Sequence, residues 1–225
     1  NLSSTQLRNI SSTQLGQLST SQVKNLTATT LQNAGTSNLN LLSGNQFVAI
    51  TSTVFQSLGS TAIGSLNSAA VANLSASQLN ALNTTDLGKI SSTNIAALTL
   101  SQIQGLSTAQ LNNLTSTQLQ AIETADLKGL STTQASSLSS SQLGNLSSSQ
   151  VQALTVDQVK SLTLSKLGSA QIANLSSSQV QGLTTSQLDA LATASTTVFQ
   201  AIQTVDLQAL NQSALTALSS TVLQA

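Results

Sequence analysis

The sequence predicts an all-α protein, an elongated solenoid of very short capped helices with one helix in each octapeptide repeat. Along the 225-residue chain, apolar residues recur at alternating spacings of five and three, so the repeat period is eight. Serine or threonine most often follows the first apolar residue of a repeat, and glutamine most often precedes the second. These residue types, at this spacing, mark the start of a capped helix.

We number the positions of a repeat from one to eight, beginning at the first apolar residue. Position one is Leu2 and every eighth residue up to Leu162, and position six is five residues further along in each repeat. All three phenylalanines, Phe47, Phe55 and Phe199, fall at position six. We therefore expect position six to be the deeper of the two core positions.

Each repeat must contain a break in its backbone. Eight residues of continuous α-helix advance by about 800°, which would spread the apolar pair around the whole helix. In a continuous strand, spacings of five and three would place successive apolar residues on opposite faces. A β-solenoid with a strand and a corner in each repeat is the alternative, although the abundance of Leu, Gln and Ala favours helix.

The polar positions indicate where each helix begins. Position two is the predicted N-cap, and its hydroxyl accepts from the position-five amide while the position-five glutamine reaches back to the N-cap amide. The apolar residues at positions one and six then form a hydrophobic staple, so the helix spans positions three to eight. The position-five glutamines are Gln6, Gln14, Gln22, Gln46, Gln78, Gln102, Gln110, Gln118, Gln134, Gln142, Gln150, Gln158, Gln171, Gln179 and Gln187. Residues that suit a helix exit are Gly16, Gly88, Gly105, Gly129, Gly144, Asn9, Asn25 and Asn113.

Residues 1–225 are expected to form a single octapeptide-repeat solenoid, because helices this short are stable only when stacked on neighbouring turns. The repeat register slips once, at residues 162–167, where Leu167 begins a new repeat only five residues after Leu162. Three additional residues restore the original register at residues 191–194.

Composition excludes several classes of partner. The six basic and six acidic residues balance, which leaves no electrostatic signature for nucleic acid or an anionic membrane. No apolar run is long enough to span a membrane. The chain contains no Cys or His, so we expect no thiolate or imidazole metal site and no cofactor. It begins with Asn1 and shows no targeting leader, so any signal is expected to lie outside this segment or to have been removed.

We do not expect an enzyme, because the serines lack a base and the carboxylates occur at positions with structural roles. Asp86, Asp126 and Asp206 replace glutamine at position five, where a carboxylate still serves a capping box. Asp86 with Lys89, and Asp157 with Lys160, have the spacing of local helix pairs. The full set of carboxylates is Asp86, Glu123, Asp126, Asp157, Asp189 and Asp206.

Asn-x-Ser/Thr sequons are the one surface feature that suggests modification. Most of them arise from Asn at position eight, followed by Leu and a capping hydroxyl, so the repeat itself generates them. They are the expected candidate glycosylation sites, with covalent glycans as possible partners. The candidates are Asn1, Asn9, Asn25, Asn73, Asn83, Asn113, Asn145, Asn174 and Asn211.

The apolar pattern runs from Leu2 to Leu223 without polar capping repeats, so we expect the chain to associate end to end or with neighbouring fibres. The units Leu2–Asn9, Leu18–Asn25 and Leu146–Ala153 resemble repeat regions of very large secreted bacterial surface or adhesin-like proteins. That resemblance implies an extracellular filament, fibre or adhesin stalk on a microbial surface. The alternative is a solenoid whose Ser and Thr rows bind ice or glycans.

Overall fold

The computed structural model describes residues 3–194, which form helices and connecting turns with no strand among them. The all-α prediction is confirmed, and the β-solenoid alternative is wrong for this part of the chain. The helices are α1 (Ser4–Asn9), α2 (Ser12–Gly16), α3 (Thr20–Lys24), α4 (Ala28–Ala34), α5 (Thr36–Leu39), α6 (Gly44–Ala49), α7 (Ser52–Gln56), α8 (Ser60–Gly64), α9 (Ser68–Ala72), α10 (Ala76–Ala81), α11 (Thr84–Leu87), α12 (Ser92–Ile95), α13 (Leu100–Gly105), α14 (Thr108–Asn113), α15 (Ser116–Ala121), α16 (Thr124–Lys128), α17 (Thr132–Ser136), α18 (Ser140–Gly144), α19 (Ser148–Ala153), α20 (Val156–Ser161), α21 (Ser169–Ala173), α22 (Ser177–Gln181) and α23 (Thr185–Ala194), with a 3-10 helix at Leu164–Lys166.

The chain divides into two compact units, with the boundary between Ile122 and Glu123. Helices α1–α15 belong to the first unit, and α16–α23 belong to the second. In the first unit a helix packs against the third helix further along, as α3 does with α6, α7 with α10 and α12 with α15. The second unit repeats this arrangement, with α16 against α19 and α17 against α20. Each unit is therefore a helical solenoid in which successive turns stack.

The core of each unit is built from positions one and six, as the periodicity predicts. Side chains at position six are almost fully buried, with 0% exposure for Phe47, Ile103 and Leu119. Position one is slightly less buried, with 5% exposure for Leu26 and Leu130. The deeper placement of position six is confirmed for the described residues, while Phe199 lies outside them.

Helix boundaries also follow the predicted positions. In the repeat that begins at Leu74, α10 spans positions three to eight, and the N-cap Ser75 has an extended backbone with φ −69° and ψ 154°. The staple residues on either side of that cap, Leu74 and Leu79, are both buried. The chain thus enters α10 through an extended residue whose apolar neighbour packs into the core.

Helix exits use an ordinary backbone rather than a left-handed glycine. Among the described residues, only Gly35 and Gly59 have positive φ; both are N-caps, and Gly35 is also the C-cap of α4, where its ψ of 147° differs from that of a left-handed helical cap. Residues at helix exits, such as Asn25 and Gly129, instead have φ of −89° and −80°. The terminal carbonyls therefore need partners other than those of a left-handed cap.

The predicted register slip coincides with the 3-10 helix. Its first residue, Leu164, and the following Leu167 are buried at 2% and 4% exposure, so the five-residue unit still contributes to the core. The compensating residues 191–194 form the end of α23, which at ten residues is much longer than a standard repeat helix. The repeats expected beyond Ala194 lie outside the described residues.

Candidate functional site

The position-five glutamine forms the predicted capping box. In α10, the backbone amide of Ser75 donates to Oε1 of Gln78 over 2.8 Å, and the amide of Gln78 donates to Oγ of Ser75 over 3.2 Å. Complete boxes begin at Ser3, Ser11, Ser19, Ser43, Ser75, Thr99, Ser107, Thr115, Ser131, Ser139, Ser147, Thr155, Ser176 and Thr184. Gln171 is an exception, because the N-cap of α21 is Gly168, which has no hydroxyl.

The same glutamine also binds the turn before it, a role that the sequence did not reveal. Gln78 is only 1% exposed, and its Nε2 donates to the carbonyls of Phe47 and Ile50 over 2.9 and 2.8 Å. We call the side chains that make these bonds the glutamine ladder. Its members include Gln46, Gln78, Gln102, Gln110, Gln118, Gln158, Gln179 and Gln187.

The ladder bonds satisfy groups that short helices leave without partners. A helix leaves its first amides and last carbonyls unpaired, and a helix of five or six residues consists mostly of such groups. One carboxamide accepts from an amide at the start of its own helix and donates to carbonyls at the end of a helix one turn earlier. This second role explains how the helices end without left-handed caps.

The ladder also gives the number of residues in a turn. Gln46 in α6 donates to the carbonyls of Leu15, near the end of α2, and Leu18, just before α3. The start of α6 therefore lies against the connection between α2 and α3, which are the fourth and third helices before it. One turn of the solenoid thus contains between three and four repeats. Before the slip the ladder joins residues separated by 28 and 31 positions, and after it by 25 and 28.

Lys166 continues the ladder at the slip. It occupies position five of the repeat that begins at Leu162, and its Nζ donates to the carbonyl of Leu138 over 3.4 Å. The separation is 28 residues, as for a ladder glutamine. The ammonium group therefore replaces the carboxamide where the chain shortens by three residues.

Asp86 and Asn94 replace glutamine at position five with shorter side chains. Asp86, only 3% exposed, accepts from Oγ of Ser60 over 2.5 Å and from Nδ2 of Asn83 over 2.7 Å. Asn94 donates to the carbonyl of Leu66 and accepts from Oγ of Ser68. In both cases a serine at position three of the preceding turn supplies the donor that reaches the shorter side chain.

Gln32 and Asn40 provide ladder bonds in the opposite direction. Both are at position seven, and they donate to carbonyls of the following turn: Gln32 to Ser57 and Leu58, and Asn40 to Ser65, each over 2.9 Å. Oδ1 of Asn40 also accepts from the amide of Asn67, the N-cap of α9. The following turn has Val54, Ala62 and Ala70 at position five instead of glutamine, so here the donor comes from the preceding turn.

The carboxylates have varied surroundings. Burial and the nearby Glu123 raise the pKa of Asp126, which lies at position five of its repeat. Asp86 bonds to Ser60 and Asn83 and does not pair with Lys89. Within residues 3–194, no group of three His, Cys, Asp or Glu residues is placed to hold a metal ion. Asp206 lies outside the described part of the chain.

Most of the described sequon asparagines lie at helix ends with exposed side chains. Asn9, Asn25 and Asn73 are exposed, and Asn73 lies against the backbone of Gly44 in the preceding turn. Asn83 differs, because its side chain caps α11 and holds Asp86.

The remaining sequon asparagines bond to backbone carbonyls. Nδ2 of Asn113 donates to Thr84, while Asn145 and Asn174 donate within or next to their own helices. Asn1 and Asn211 lie outside the described residues.

Hydroxyls at position two are committed to helix starts. Oγ of Ser107, for example, accepts from the amide of Gln110 over 3.2 Å, and the same arrangement recurs at every complete capping box. Among the described residues, position two therefore supplies no row of hydroxyls outside the helix caps, and exposed hydroxyls outside the caps occur at positions three, four and eight, as at Thr108, Thr117 and Ser57. This reduces the surface that an ice-binding or glycan-binding solenoid would need.

Comparison with known proteins gives a family match over part of the chain. The ALTTAQ repeat family model matches residues 79–116 and 119–164. The two matched segments cover less than half of the chain and include α14 and α20, whose glutamines Gln110 and Gln158 make ladder bonds. Residues 105–110 read GLSTAQ and span position eight of one repeat and positions one to five of the next. A search of curated proteins found no match.

The chain therefore contains a repeat region similar to the ALTTAQ repeat. In the described residues, no helix is both long and apolar enough to cross a membrane.

Proposed function

We propose that the chain is a structural segment of an extracellular filament, fibre or adhesin stalk on a microbial surface, with no catalytic role. The observation that supports this proposal is the glutamine ladder. Every ladder residue joins its own helix to the preceding turn through the same pair of bonds, so additional turns require no new kind of contact. A solenoid built in this way extends by repetition, which suits a spacer or stalk.

Self-association and glycosylation belong to the same proposal. Copies are proposed to associate end to end or with neighbouring fibres, because ladder donors and helix-end carbonyls are complementary surfaces of the same repeat. The exposed sequon asparagines, such as Asn25 and Asn73, are proposed to carry glycans if the chain passes through a glycosylating secretory route.

Localisation of the native protein tests the proposal. Antibodies against the purified chain are expected to label intact cells of the source organism, and electron microscopy of the native material is expected to show thin fibres or stalks. Labelling that appears only after the cells are permeabilised would contradict the extracellular assignment. Globular particles in the native material would contradict the stalk.

A freezing assay distinguishes the proposed stalk from the alternative of an ice-binding solenoid. The purified chain is expected to show no thermal hysteresis, because the position-two hydroxyls are engaged in caps. Clear hysteresis would favour the ice-binding alternative over a stalk.

A further inference from the structure

We infer that, within the unit from residue 3 to residue 122, the turn formed by α7, α8 and α9 opens before the turn formed by α13, α14 and α15, so that it yields first of the two when the solenoid is stretched. The role of this turn when the solenoid is stretched rests on the proposed stalk function. The order in which the two turns open is independent of that function, because it follows from contacts within the unit and is measurable on the purified chain.

Position five carries no carboxamide anywhere in this turn. Its three repeats have Val54, Ala62 and Ala70 in place of glutamine. By contrast, α13, α14 and α15 have Gln102, Gln110 and Gln118. Each of those glutamines is 4% exposed and donates to two or three carbonyls of the preceding turn.

Helix starts in the same turn are also weaker. Gly59, the N-cap of α8, makes no side-chain bond. Thr51 and Asn67 accept from the amides of Val54 and Ala70, but neither helix has a position-five side chain that reaches back to its N-cap amide. In α13–α15, all three helices have complete capping boxes.

The bonds that replace the ladder here are more open to water. Gln32 is exposed and Asn40 is half-buried, whereas ladder glutamines such as Gln110 are buried. An exposed bond exchanges easily with bonds to water, so its loss costs less free energy than the loss of a buried bond. Regions whose polar contacts are exposed in this way are the first to open.

Apolar packing does not distinguish the two turns. Phe55, Ile63 and Val71 are as fully buried as Ile103, Leu111 and Leu119. Phe55 also packs edge to face against Phe47, with 5.9 Å between ring centroids. The α7–α9 turn is therefore folded, and its difference from α13–α15 lies in the polar bonds.

Native-state hydrogen exchange of the full chain tests this order of opening. The amides of Ile63 and Val71 are expected to exchange at least about tenfold faster than those of Ile103, Leu111 and Leu119, because several net hydrogen-bond contributions are missing. Equal or slower exchange in α7–α9 would overturn the inference.

A triple variant identifies the cause. Replacement of Val54, Ala62 and Ala70 by Gln is expected to remove most of the difference in exchange rate between the two turns. The matched control places Gln at the exposed position-four residues Thr53, Thr61 and Ala69 of the same helices and is expected to leave the rates unchanged. If the first variant leaves exchange in α7–α9 unaltered, or if the control slows it equally, the ladder is not the cause. Should either variant misfold, the wild-type exchange profile still decides the order of opening.

Discussion

Glutamine suits position five because its carboxamide is both an acceptor and a double donor. Its Oε1 faces the N-cap amide while its Nε2 faces carbonyls of the preceding turn. Other residues at this position lose one or both functions. The carboxylate of Asp86 only accepts and needs donors from Ser60 and Asn83. The shorter amide of Asn94 donates to one carbonyl, that of Leu66, and does not complete a capping box with its N-cap Ser91.

Replacement of Gln110 by Glu tests the donor half of the carboxamide. The carboxylate keeps the acceptor of the capping box, but its charge is buried and faces the carbonyl oxygens of Leu79 and Leu82. We expect the free energy of unfolding to fall by roughly 2–4 kcal/mol, as measured by urea denaturation at neutral pH. The matched control is Gln56→Glu at an exposed position seven, which is expected to change stability by less than about 0.5 kcal/mol. Equal effects of the two variants would contradict the ladder.

Replacement of Asp126 by Asn tests the raised pKa of that carboxyl. Because burial and Glu123 raise this pKa in the folded state, the folded chain binds the proton more tightly than the unfolded chain. The stabilising contribution of the protonated form is present at low pH and is lost as pH rises through the raised pKa. Asp126→Asn is therefore expected to be more stable than the wild type at pH 7, with the advantage shrinking in acid. Chemical denaturation of the wild type and the variant, at pH 7 and at an acidic pH, measures the difference in their free energies of unfolding. A difference that does not change with pH would contradict this linkage.

Individual helices of five or six residues are defined by their caps and staples rather than by their length. Isolated segments of this length do not form stable helices in water. In α14, the N-cap Ser107, Gln110 and the staple residues Leu106 and Leu111 fix the first turn together. The element is therefore stable only while its start is capped and its apolar pair is buried.

Replacement of Ser107 by Ala tests the cap of a single helix. The amide of Gln110 loses its hydroxyl acceptor, so the free energy of unfolding is expected to fall by about 1 kcal/mol. Thr108→Ala removes an exposed hydroxyl one residue later, outside the cap, and serves as the control. Thermal denaturation compares the two variants. If the control destabilises the chain as much as Ser107→Ala does, the capping role is wrong.

At the scale of the whole molecule, the ladder tolerates two turn lengths. Gln78 reaches position-six and position-one carbonyls at separations of 31 and 28 residues, while Gln179 reaches the same two positions at 28 and 25. The slip therefore shortens a turn by three residues without changing which positions are paired. Lys166 provides the donor at the slip itself.

Insertions after Lys166 test this tolerance. Three added residues are expected to be accepted with little change in far-ultraviolet circular dichroism, because the later glutamines then use the longer separations seen elsewhere in the chain. One added residue is expected to destabilise the second unit strongly, because it moves the staple positions out of register. The midpoint of thermal unfolding compares the two chains. Equal tolerance of both insertions would show that register is not set by the ladder.

The local structure of this protein follows from residues that are close together along the chain. Period eight fixed the core positions, and the Ser/Thr and Gln positions fixed helix starts such as Ser75 with Gln78, because capping boxes and staples join residues only three to five positions apart. The slip at residues 162–167 was likewise visible as a change of spacing. These features depend on neighbours along the chain, so one repeat contains all the information they require.

The contacts that each repeat makes across turns depend on the packing of the whole solenoid and cannot be read from one repeat. The burial of Gln78, its bonds to Phe47 and Ile50, and the reversed donors Gln32 and Asn40 join residues about 25 to 31 positions apart. A capping glutamine has the same sequence signature whether its Nε2 faces water or a carbonyl. The number of repeats per turn sets which carbonyl lies opposite, and that number follows from how the apolar pairs of different turns pack together, which the pattern within one repeat does not determine.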